Sequence, residues 1–246
     1  MKRGASKKQS IYRFSTAVHK WGGLILALQI LFWIGGGLIM SAIPLEKVHG
    51  KHLAKFTIEN THKTAHTYSL DKLLSTMNTT SEIQLAHRLE TPIYIVSSNA
   101  GKHIYHGQTG TPIQPLQQSD VENLASQYYL GEGQLSRATL LISAPHEASR
   151  AKGEVWQVQF NDTWNTTLYI NPNSGALIHI RSDIWRIFDF VWMLHIMDYD
   201  TRDDFNNPLL ISFAAASLLF TLSGFVLLYR TYSPQLKRAR KKIRDG

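Results

Sequence analysis

The sequence has no cysteine among its 246 residues. That absence removes disulfide scaffolds, iron–sulfur clusters, thiolate zinc sites, cysteine nucleophiles and covalent Cys-x-x-Cys-His haem attachment. Charge is also sparse, at 18% of residues. It is missing altogether from two long stretches, Trp21 to Leu45 and Phe205 to Tyr229. A helix needs about 20 mostly apolar residues to cross a bilayer, so each stretch predicts a transmembrane helix. Acidic residues are absent from the first 20 positions, where Lys2, Arg3, Lys7, Lys8, Arg13 and Lys20 all lie. The first apolar run is too long for a cleaved signal, and Ser41-Ala42 makes a poor cleavage site, so it reads as an uncleaved signal anchor.

The net charge of +8 divides unevenly. The two ends, 1–20 and 230–246, sum to +12, and the middle to −4. Basic flanks stay on the cytoplasmic side, which predicts both termini inside and the central region outside. The basic residues hug the membrane ends instead of forming one folded face, which excludes a nucleic-acid partner. The predicted organisation is a basic cytoplasmic N-terminus (1–20), a first span (21–45), an exported domain (46–183), an interfacial amphipathic segment (184–204), a second span (205–229) and a basic tail (230–246).

The exported domain shows a twofold pattern, with halves at about 52–115 and 116–181. Residues 69–77 read as a helix capped by Ser69, followed by strands at 83–89, 92–98 and 102–107. Residues 119–130 read as a second helix capped by Ser119, followed by strands at 138–144, 154–160, 166–170 and 176–180. Two turns correspond across about 65 residues: Tyr105 to Ile113 with Thr109-Gly110, and Tyr169 to Leu177 with Ser174-Gly175. Glycine at each suits a positive-φ turn position. A duplicated helix-plus-antiparallel-sheet unit follows, giving an α+β membrane protein as the expected fold class.

The turn Asn171-Pro-Asn-Ser-Gly175 resembles that of the PepSY module. His19-Lys20-Trp21-Gly22-Gly23, Leu194-His195 and Ser223-Gly224 ahead of Arg230 resemble elements of the PepSY-associated transmembrane family. The resemblance covers nearly the whole chain, although many members have four helices and this chain has two. It implies a bacterial inner-membrane protein with a PepSY-like periplasmic domain. Members include ferric-siderophore reductases thought to pass electrons through membrane haems.

Most of the 11 histidines, among them His62, His66, His87, His103, His106, His146 and His179, scatter through the exported domain without zinc-site spacing. His19, at the inner end of the first run, is an interfacial histidine beside a belt tryptophan or an axial ligand to haem b. Gly22, Gly23 and Gly35 to Gly37 admit either a macrocycle or close helix packing. His195 is the second candidate, on a segment whose Trp185, Phe188, Trp192 and either His195 or Ile196 share a helical face. A run of about 25 residues is nearly 40 Å long, so His19 and His195 cannot ligate one iron. His49 and His52 are the candidate outer partners of His195. His19 has no such neighbour, which predicts a homodimer or a partner membrane subunit. The leading expectation is transmembrane electron transfer toward a periplasmic acceptor, such as a ferric chelate. The alternative is a membrane-anchored PepSY binding or regulatory module without redox activity. The carboxylates Asp198, Asp200, Asp203 and Asp204 lack a metal-loop signature, and no hydrolase triad is recognisable.

Overall fold

The computed structural model describes residues 7–57, 64–76, 82–98, 101–151 and 153–244. Side chains at 7–8 and 236–244 are not part of the description, so Lys2, Arg3, Lys7, Lys8, His62, Met77 and most of the basic tail lie outside the described residues. The chain is α+β and divides into two units, one of residues 1–42 and 188–246, the other Ile43–Ile187.

In the helical unit, α1 (Lys7–Ala17) runs through a π-helical turn (Val18–Gly22) into α2 (Gly23–Ala42). Pro44 follows shortly, as expected where a helix stops, so the helix ends before the Leu45 that closes the uncharged run. Helix α6 (Asp183–Ile196) enters this unit with its C-terminal half, and α7 (Pro208–Arg244) completes it. Asn207 caps α7 by accepting from Leu210 N–H at 2.8 Å, and Pro208 occupies the first turn, where its missing N–H costs nothing. Residues Gln9–Ala42 and Pro208–Gln235 form two helices long and apolar enough to cross a membrane. Their surfaces are largely exposed leucine, isoleucine and phenylalanine.

The sheet unit opens on a short helix, α3 (Leu45–Val48), and then repeats one plan. Helix α4 (Leu70–Ser75) precedes β1 (Glu82–Arg88), β2 (Thr91–Ser98), β3 (Gly101–His106) and β4 (Pro112–Ile113). Helix α5 (Gln118–Tyr128) precedes β5 (Leu135–Leu141), β6 (Val155–Phe160), β7 (Thr167–Ile170) and β8 (Leu177–Arg181). Each set forms a four-stranded antiparallel sheet in chain order. The two Gly turns superpose in their bonding. Gly110 N–H donates to His106 O and His106 N–H to Thr111 O, both at 2.8 Å; Gly175 and Asn171 make the same pair with Asn171 and Ala176, both at 2.9 Å. Both glycines have positive φ, +71° and +72°.

Helix α5 presents Val121, Leu124, Ala125 and Tyr128, spaced three and four apart, to Trp156, Val158, Phe160, Leu168 and Ile170. Full burial of each large side chain stabilises by about 1.5–3 kcal/mol, so this cluster dominates the unit. Strand β2 is buried on both faces, Tyr94 and Val96 against Leu73, Ile93 and Ile95 against Ile104. Ser69 holds the N-cap position of α4 as expected, without a side-chain cap bond, whereas the cap of α5 differs. Helix α5 starts two residues earlier than a Ser119 cap allows, because Gln117 and Asp120 form a reciprocal capping box. Arg88 ties the two halves, its Nε and Nη2 donating to Asn173 O at 2.9 and 2.6 Å and its Nη1 to Gln114 O at 3.0 Å.

Candidate functional site

His19 lies inside the π-helical turn. Such a turn widens the helix and is frequent at functional positions; nothing in the residue pattern announced it. The imidazole faces α7. Its ring stacks on Phe220 with centroids 4.4 Å apart and planes 5° apart, and its Nδ1 lies 3.2 Å from Ser223 Oγ. Ser223 has one hydroxyl proton, and that proton is donated to Phe220 O at 2.7 Å. In the tautomer that carries hydrogen on Nδ1, Nδ1 donates to Ser223 and both contacts are made together. The lone pair then resides on Nε2, the nitrogen a metal would use. Gly224 permits this approach, since a Cβ there would stand 3.2 Å from His19 Cε1.

The neighbouring glycines serve helix packing. A Cβ on Gly23 would meet Phe220 at 3.0 Å, and one on Gly22 would stand 3.8 Å from the same ring. Phe220 thus occupies the notch that the sequence left open to a macrocycle or a helix. Gly36 does the same for α6, with Val191 Cγ1 3.1 Å from its would-be Cβ. Gly35 and Gly37 face open space.

His195 packs where α6 crosses α2. Gln29 Nε2 donates to Leu194 O at 3.1 Å, and Trp33 Nε1 donates to His195 O at 2.8 Å. The His195 Nδ1 is buried and has no hydrogen-bond partner. It lies 3.9 Å from the position of a Cβ on Gly36. Gly36 is 17 residues beyond His19, about 25 Å along a helix at about 1.5 Å per residue, so the two histidines cannot hold one metal ion. The face α6 turns to α2 carries Val191, Leu194 and His195. Trp192, expected on the same face as His195, turns instead to the loop after α6, donating from Nε1 to Arg202 O at 3.0 Å and meeting Phe205 edge-on.

His49 and His52 are both exposed and belong to the sheet unit, whereas His195 belongs to the helical one. His49 lines a pocket with Lys51, Arg150 and Arg181, surroundings that suit an anion better than a metal cation. No family model matches the chain, and no curated protein or solved structure resembles it at a significant level.

Among the described residues no group of three or more His, Asp or Glu side chains is arranged to hold a metal ion. The acidic stretch after α6 has a different use. Asp198 accepts from the N–H groups of Asp200, Thr201, Asp203 and Asp204 and from Thr201 Oγ1, at 2.7 to 3.2 Å. These bonds, led by the Thr201 hydroxyl, hold its carboxyl well below the usual carboxylate range. One carboxylate organises the whole turn, and Asp189 pairs with Arg202 beside it.

The sheet unit also holds a polar cleft of about 650 Å³ that sequence reasoning missed. Arg186 spans it, bonding both oxygens of Glu147 at 2.8 and 3.1 Å and Thr167 Oγ1 at 3.2 Å. Tyr169 donates to Glu147 and accepts from Gln157 Nε2. Burial pushes the Tyr169 phenol up to about 12, despite the Gln157 bond.

Proposed function

We propose that this chain is a bacterial inner-membrane b-haem protein, with both termini cytoplasmic and a PepSY-like domain in the periplasm, that moves electrons across the bilayer toward a periplasmic acceptor. The hydrogen-bond chain from His19 through Ser223 to Phe220 O carries the reading. In the tautomer that donates from Nδ1 to Ser223, the Nε2 lone pair is left free, as an imidazole that would hold haem iron requires. Haem b, when bound, supplies a one-electron iron couple and needs no cysteine. His19 would hold the iron, Ser223 would set the ring orientation, and Phe220 would keep the ring flat against α7. His195 is the second proposed ligand, at the other end of the same helical unit. Each site takes a further imidazole, supplied for His19 by a second copy of the chain.

The test is the absorption spectrum of the detergent-purified protein from haem-replete cells, oxidised and then reduced with dithionite. A Soret shift with b-type α bands is expected, reduced in His19→Ala and in His195→Ala. A colourless wild-type protein refutes the proposal. A second reading, a membrane-anchored binding module, draws on the Glu147–Tyr169–Arg186 cleft, whose volume suits a small ligand. A colourless protein that retains a periplasmic ligand through purification supports that reading instead.

A further inference from the structure

A second pocket of the sheet unit, about 380 Å³, gathers positive charge. Lys51 and Arg150 stand at its rim and Arg181 and His179 in its wall, with Trp185 and Phe56 beside them. Arg181 lies over the Trp185 ring at 4.1 Å, and its Nε is held by Glu147 O at 2.7 Å, which fixes its guanidinium in place. Among the described residues, Arg150 has no carboxylate partner. Lys51 pairs with Glu46 at 3.2 Å, and both members of that pair are well exposed.

His179 supplies the independent observation. It is only 6% exposed, lines the pocket, and its Nε2 has no hydrogen-bond partner. A buried polar atom without a partner costs free energy unless a ligand satisfies it. Burial, with Arg181 and Arg150 close by, pulls the imidazole down to about 4. The group is therefore neutral near pH 7, and the charge of this pocket comes from Lys51, Arg150 and Arg181.

We propose that this pocket binds a phosphate group, carried by an anionic lipid headgroup or by a soluble phosphate ester. Phosphate matches fixed guanidinium groups through paired charge-assisted hydrogen bonds, and the unpartnered Nε2 adds one more contact. The apolar wall of Ile178, Ile180 and Phe56 leaves room for the esterified part of the ligand. The lipid source fits the position in sequence, since Lys51 follows the end of α2 by nine residues and Arg181 stands two residues before the start of α6.

The test uses the full chain with isotope-labelled histidine, first in detergent with inorganic phosphate, then in nanodiscs of phosphatidylcholine with and without phosphatidylglycerol. The His179 ring resonance is the readout. Phosphate is expected to shift it saturably, and the exposed double variant K51Q/R150Q is expected to raise the midpoint at least about tenfold. If phosphatidylglycerol alone shifts the resonance and phosphate then adds nothing, the ligand is the lipid headgroup. If only added phosphate shifts it, the ligand is soluble. If neither perturbs His179, or if K51Q/R150Q binds as tightly as wild type while keeping its circular dichroism, the proposal is wrong.

Discussion

Gly50 carries the connection after α2 onto strand β8, and replacing it with alanine tests that placement quantitatively. Its φ is +69°, and a Cβ built there would lie 2.4 Å from Ile180 Cγ2 and 3.1 Å from Ile180 Cβ. Two costs add. A non-glycine residue in the left-handed region loses about 1–2 kcal/mol. Overpacking a core that cannot yield loses about 1–3 kcal/mol more, and Ile180 is among the most buried residues of the unit, at 1% exposure. Gly50→Ala should therefore destabilise by about 2–5 kcal/mol. With a urea slope of about 2 kcal/mol per molar, the midpoint falls by about 1–2.5 M. The assay is urea unfolding of the full chain in detergent, followed by tryptophan fluorescence. A double-mutant cycle separates the terms. Ile180→Ala is itself costly, yet it removes Cγ2, so Gly50→Ala in that background should cost only the backbone term of about 1–2 kcal/mol. A neutral Gly50→Ala, or a penalty unchanged by Ile180→Ala, refutes the packing of this segment on β8. It would also remove His49 and Lys51 from the cationic pocket.

Two further outcomes follow from the sheet unit. His179 is held at about 4 against an ordinary 6.5, so the unfolded chain binds the extra proton between those values. Stability from this group is complete above about pH 6.5, declines as pH falls toward 4 and is constant below; His179→Gln should flatten that window in a pH series of urea midpoints, and an unchanged slope contradicts it. Arg88→Ala removes two guanidinium bonds to Asn173 O in the other half and one to Gln114 O in its own, which should cost about 2–3 kcal/mol. Limited proteolysis should then cut between β4 and α5 faster than in wild type, and equal rates would show that Arg88 does not join the halves.

The duplicated plan was legible because it is local. Alternating apolar residues, turn glycines and the 65-residue offset between Gly110 and Gly175 are properties of short segments, and the structure reproduces them within a few residues. Strand β2 was legible as apolar but not as doubly buried, because covering its second face depends on partners such as Ile104 that pair from another strand. The α5 cap was misplaced for a similar reason. Ser119 has the composition of a cap, but the reciprocal Gln117–Asp120 bonds begin the helix earlier. Of the site, the residue His19 was legible and its setting was not. The π-helical turn and the tautomer depend on Ser223 and Phe220, about 200 positions away. The net −4 of the middle region is likewise uninformative locally, because a sum over sequence hides that Lys51, Arg150 and Arg181 line one pocket.

Ligand counting at His19 leads to a test that composition alone could not frame. One imidazole per chain lies at this end of the helical unit, and His195 is about 25 Å along the helix. If two copies of His19 hold one iron, an inactive copy disables its partner as well. Co-expressing equal amounts of His195→Ala chains with and without a second substitution, His19→Ala, gives random pairs. Only about a quarter of those pairs keep both ligands, so haem should fall to about a quarter of that in the undiluted His195→Ala protein. Ligation within single chains predicts about a half instead. Ser223→Ala should act on the same site without removing the ligand. It frees Nδ1 from its acceptor and loses one hydrogen bond worth about 1 kcal/mol, so haem is retained but washes out faster. A haem content of one half in the mixed preparation refutes the shared site, whatever the spectrum of the pure protein.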